Sequence, residues 1–95
     1  MFVRVVRFSD VTPERVEKVL AQIKESGGPP PGISTSRLQM LTDAEQGTAV
    51  VLQYFDTAQD MAESARIFEA MEPSETPGKR VSIDTCEEKL NITPS

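Results

Sequence analysis

The sequence predicts an α+β domain with the element order β-α-β-β-α-β, formed by residues 1–95 as one unit. Three observations carry that expectation. Two stretches repeat apolar residues at helical spacing behind N-capping residues, four stretches are β-branched or alternate with a period of two, and Gly, Pro and polar turn residues separate them.

The first strand is Met1 to Phe8, rich in Val and Phe. Asp10 to Pro13 turns the chain into a helix from about 12 to 26, with Thr12 as N-cap and Pro13 at a position where its missing N–H costs nothing. Val16, Val19, Leu20 and Ile23 make its apolar stripe, and Gly27 suits a left-handed cap. GGPPPG at 27–32 stops the helix and reads as a stiff connector aiming the next strand. It has neither the glycine spacing nor the N–H donors of a phosphate cradle.

A second strand is expected over Ile33 to Leu41, then a polar turn closed by a positive φ at Gly47, then the most apolar strand, Thr48 to Phe55. Asp56 and Gln59 form an N-cap pair for a second helix, with Ala58, Met61, Ala65 and Phe68 on one face and an end near Met71, before Pro73. Thr76-Pro77-Gly78-Lys79 has the residues of a type II turn, and Val81, Ile83 and Thr85 alternate with Ser82, Asp84 and Cys86 in a fourth strand with Ile92 as its far limit. The whole is a ferredoxin-like arrangement, a four-stranded antiparallel sheet with both helices on one face.

Composition narrows the function classes. At 38% hydrophobic and 26% charged the chain is ordinary for a globular protein, and no apolar run approaches the ~18 residues of a membrane span. A net charge of −5 with scattered Lys and Arg argues against nucleic acid and anionic lipid as partners. MFVRVVRF lacks the uninterrupted apolar core of a signal peptide, and the single Cys86 fits a reducing compartment, so a cytoplasmic location is expected. Cys86 itself reads as a half-buried small hydrophobe.

A chain of 95 residues buries only roughly 60–65% of its unfolded surface, so association would help it. Both faces of the first and third strands are apolar, where a sheet covered on one side should alternate. Exposing Phe2, Val6, Val50, Leu52 and Tyr54 would leave a patch that monomers rarely carry. A symmetric homodimer packed sheet to sheet is therefore expected, with Phe2, Val6, Val50, Leu52 and Tyr54 at its interface.

The element order, the run VVLQYFDTAQDM and the later ETPGKRVSIDTCE resemble the dimeric α+β barrel superfamily, whose best-known branch is antibiotic-biosynthesis-monooxygenase-like. The likeness spans nearly the whole chain and is nearest to small bacterial members with an FDT-type helix cap and a PPPG loop. What it implies is the fold, because the matching motifs are caps and turns. Enzymes of that superfamily that oxygenate aromatic polyketides or degrade haem are associated with Asn, Trp and His in the cleft between helices and sheet. This chain has no His and no Trp, and its one Asn is Asn91, so those activities do not carry over residue by residue. No cofactor is implied, and neither CxxC nor HExxH spacing is present for a metal.

The polar residues on strands are the candidates for ligand binding. Arg4 shares its parity with Phe2, Val6 and Phe8, so a guanidinium is sent to an apolar face, where it needs an anionic or hydrogen-bonding partner. Asp84 or a glutamate across the sheet could supply it. Alternatively Arg4, Arg37, Gln39 and Tyr54, with Asp84, line a cavity for a carboxylate- or carbonyl-bearing small molecule. A second candidate cavity is edged by Met40, Met61, Phe68 and Met71, residues that serve equally as adaptable core. The expected function is small-molecule binding without His-based catalysis. The alternatives are an oxygenase- or isomerase-type enzyme using Tyr54, Arg4 or Asp84, and a structural or interaction module.

Overall fold

The computed structural model describes residues 1–27, 33–70 and 76–94. The elements run β1 (Phe2–Ser9), α1 (Pro13–Ser26), β2 (Arg37–Asp43), β3 (Thr48–Phe55), α2 (Ala58–Glu69) and β4 (Lys79–Glu87). All strand pairs are antiparallel, in the order β2-β3-β1-β4, which makes the two most apolar strands central and gives the ferredoxin-like arrangement expected.

Local chemistry sets the helix ends. Thr12 Oγ1 accepts from the Arg15 N–H at 3.2 Å, Pro13 occupies the first turn, and Gly27 at φ 80° returns its N–H to the carbonyls of Ile23 and Lys24. The second helix is capped one residue later than expected: Thr57, in extended backbone immediately before Ala58, accepts from the Asp60 N–H at 3.0 Å. Gln59 bonds Glu63 one turn on instead of closing back on the cap. On α1, Val19 is buried and Val16 and Ile23 are half-buried, whereas Leu20 turns out to be exposed.

The edge strands are shorter than the sequence suggests. β2 begins at Arg37, not Ile33, and its entry is held by a mixed set of bonds: Ser36 donates its backbone N–H to the Tyr54 carbonyl at 2.9 Å, Thr35 Oγ1 lies 2.8 Å from the carbonyls of both Arg37 and Tyr54, and Ser36 Oγ also reaches Tyr54. β4 ends at Glu87, short of Ile92. Glu88 still donates its N–H to the Met1 carbonyl, beyond which Leu90 and Ile92 stand exposed. The β2–β3 hairpin closes as expected at Gly47, φ 66°, and the Gly47 carbonyl accepts from Val11, tying the hairpin to the chain leaving β1. The proline tract 28–32, Met71 and Pro73 lie outside the described residues.

Gly78 corrects a turn assignment. A type II turn needs a left-handed residue there, and Gly78 is not left-handed. Its glycine is required by crowding instead: a Cβ would sit 2.3 Å from the Ser9 carbonyl oxygen and 2.7 Å from Val11 Cγ2. Gly78→Ala should therefore lower stability by about 2–3 kcal/mol, read as a reduced urea midpoint at unchanged m-value.

The register sorts the sheet into two faces. Phe2, Arg4, Val6 and Phe8 stand opposite Phe55, Gln53, Val51 and Ala49, and this face carries the core of Val6, Phe8 and Ala49, with Val51 and Ile83 packed on it. Its neighbour Phe55 is completely buried. Val3, Val5 and Arg7, opposite Tyr54, Leu52 and Val50, share the other face. Phe2 and Val6 thus stand on the helix side, away from Val50, Leu52 and Tyr54, with which the expected interface had grouped them. Residues directly opposite on antiparallel strands point the same way, and the pairing joins even positions of β1 to odd positions of β3.

Candidate functional site

The five candidate residues divide between the two faces. On the helix side, Arg4 sits on a central strand at 2% exposure, its Nη1 donating to Gln53 Oε1 at 3.0 Å and its Cζ lying 5.3 Å from the centre of the Phe68 ring on α2. Strand register makes Arg4 and Gln53 direct neighbours, and α2 supplies the ring as a cation–π partner. Burial lowers the pKa of Arg4 from its ordinary value; the Glu69 carboxylate opposes that shift and the Arg80 charge adds to it. The guanidinium nevertheless stays charged at neutral pH. Asp84 is not its partner.

Gln53 and Ser64 are the residues that sequence reading missed on this face. Both are buried, and Ser64 Oγ has no hydrogen-bond partner among the described residues. Gln53 was legible only through the register, since it alternates with apolar neighbours along β3. Ser64 falls one helical turn before Phe68, the spacing that puts both on one face of α2. A small polar residue among Met61, Ala65 and Phe68 was the available signal.

The open face is built from three rungs. Arg37, Tyr54, Val3 and Cys86 lie side by side, then Gln39, Leu52, Val5 and Asp84, then Leu41, Val50, Arg7 and Ser82. Its middle, from Tyr54 to Val5, is apolar and partly exposed, and the polar groups sit toward the edge strands. Arg37 Cζ is 5.4 Å from the Tyr54 ring, whose hydroxyl donates to Gln39 Oε1 at 3.3 Å. Asp84 is paired with Arg7 across the β1–β4 seam, and Cys86 is exposed on the same edge strand instead of half-buried. Arg37, Gln39 and Tyr54 therefore form one cluster, Asp84 belongs to another, and Arg4 lies on the far side of the sheet.

A separate concavity of about 240 Å³ lies between the first turn of α1 and the β2–β3 hairpin, bordered by Val11, Pro13, Val16, Ala44 and Thr48. None of the candidate residues borders it. Two of its polar neighbours are engaged, Thr12 as the α1 cap and Asp43 with Gln46, and Glu17, Thr42 and Thr48 also border it.

Fold and sheet order define the class: a ferredoxin-like α+β chain with a four-stranded antiparallel sheet. Among solved structures it is similar to a Deinococcus radiodurans protein provisionally described as an antibiotic biosynthesis monooxygenase. The TM-score is 0.54 at 14% identity, over 99% of this chain and 100% of that one. No protein-family model and no curated protein matches the sequence.

Proposed function

We propose that the chain works as a homodimer, joined through the open sheet face, that binds a small organic molecule between its helices and its sheet. The observation that carries the dimer is the apolar centre of the open face, where Val3, Val5, Val50, Leu52 and Tyr54 are partly exposed and contiguous across the two middle strands. Four strands of about eight residues at ~4.8 Å spacing present roughly 500 Å² in projection, the scale of the ~800 Å² per partner in a stable interface. Covering a few hundred Å² of apolar surface at ~25 cal/mol per Å² favours association by several kcal/mol before its entropic cost. Two copies related by a two-fold axis would each cover the other's valines.

Binding is supported by buried polar groups, the hydrogen-bonded pair Arg4–Gln53 on the sheet and Ser64 on α2, expensive features in an otherwise apolar layer. The described activity of the Deinococcus radiodurans neighbour suggests oxygenase chemistry, but the residues that could polarise a carbonyl or take a proton do not converge here. Tyr54 is bonded to Gln39, and Asp84 is paired with Arg7 two strands away. Among the described residues no helix is long and apolar enough to cross a membrane. The exposed, unpaired Cys86 fits a reducing cytoplasmic setting.

Native mass spectrometry with a thermal-shift screen of small organic molecules tests both parts. The expected result is a dimer whose melting temperature rises with a subset of compounds. A monomer that no compound stabilises would remove the proposal.

A further inference from the structure

We propose that Arg4 and Ser64 hold the carboxylate of a small, largely apolar organic acid between the sheet and α2. The inference rests on the small-molecule reading above and gives its ligand a chemical class.

Arg4 is a buried cation with no direct ion pair: among the described residues no carboxylate lies within ion-pair distance of it. Its single hydrogen bond uses Nη1. The Nε and Nη2 edge makes no hydrogen bond to any described residue, and that edge is one a carboxylate grips with two parallel N–H···O bonds. Glu69 acts on Arg4 only through its charge, and Arg80 repels it, so neither supplies the missing partner.

The second observation is independent. Ser64 Oγ, at 1% exposure, is the one buried side-chain polar atom among the described residues that has no partner. Ser64 lies one turn before Phe68, whose ring stacks on the Arg4 guanidinium, so hydroxyl and guanidinium belong to the same inner surface between α2 and the sheet. A hydroxyl donor on that inner surface and two parallel N–H donors together suit the lone pairs of one carboxylate. One positive charge calls for a monoanion. Phe68 above the guanidinium and Phe55 one rung along on the same face make the surroundings of the ligand's body apolar.

A buried cation at the centre of a sheet is costly to desolvate, and its one side-chain hydrogen bond, to Gln53, leaves most of its donors without a protein partner. Groups that break local rules at the expense of stability are expected where a ligand is bound.

The test compares benzoate, phenylacetate and hexanoate with their primary amides at constant ionic strength, following melting temperature and Kd. In the parent protein at least one acid should raise the melting temperature by about 5 °C at ten times its Kd, while its amide does not. Arg4→Met, which also leaves Gln53 Oε1 without its donor, should lose the response to acids. Arg4→Lys, which keeps the charge and loses the two-donor edge, should weaken acid binding at least tenfold, and Ser64→Ala should weaken it about fivefold with little change in melting temperature. If amides bind as well as acids, the carboxylate assignment is wrong while the small-molecule reading stands; if no compound of either kind binds, both fall. An Arg4→Met protein that still responds to acids would show that Arg4 serves the fold alone.

Discussion

Leu52→Glu should convert the proposed dimer to a monomer, raising its dissociation constant at least 100-fold. Leu52 stands in the middle rung of the open face between Gln39 and Val5. Near a two-fold axis a glutamate there meets apolar surface and its own copy's charge, with no cation on its rung to receive it. Stranding an unpaired buried charge costs about 3–5 kcal/mol, which is a factor of 10² to 10³ in affinity. Sedimentation velocity over a concentration series reads the change. Far-UV circular dichroism should stay that of the parent, because the side chain leaves the helix-side core untouched. A variant that remains dimeric at the parent's affinity would place the interface elsewhere.

Phe55→Ala should cost about 3–5 kcal/mol, a large part of the roughly 5–14 kcal/mol expected for a domain of this length. Phe55 is 0% exposed at the end of β3, beside Phe2 on the helix side of the sheet. Truncation leaves a void that the sheet backbone cannot close, because the strands on either side are fixed by their ladders. Urea unfolding should show the midpoint falling by about half. A loss below about 1 kcal/mol would mean that the helices can settle onto the vacated space.

Strand parity was legible in the sequence, and strand register was not. Arg4 shares a face with Phe2, Val6 and Phe8 whatever the fold, since side chains alternate along a strand. Which face of β3 joins them depends on the path from β1 through α1 and β2, and nothing local to FVRVVRFS or TAVVLQYF encodes that. Phe2 and Val6 were therefore grouped with the wrong half of β3, and the five candidate residues proved to lie on opposite sides of one sheet.

Caps and turns with a local mechanism were readable: Thr12, Gly27 and Gly47 do what their side chains or their lack of one allow. Gly78 was readable as necessary but for another reason, because its crowding against Ser9 involves residues nearly seventy positions away. Gln53 and Ser64 stayed hidden for the same cause. Gln53 matters through its bond to Arg4 and Ser64 through its burial, properties of assembled elements that no period along the chain expresses.

The most direct test of the account is the mass of the protein in dilute solution, by light scattering on a size-exclusion column at micromolar concentration. The chain is 10.5 kDa, and the account predicts a single species of twice that mass. A stable species of 10.5 kDa at all concentrations would contradict it, because Val3, Val5, Val50 and Leu52 would then stand in water on a face that no second copy covers.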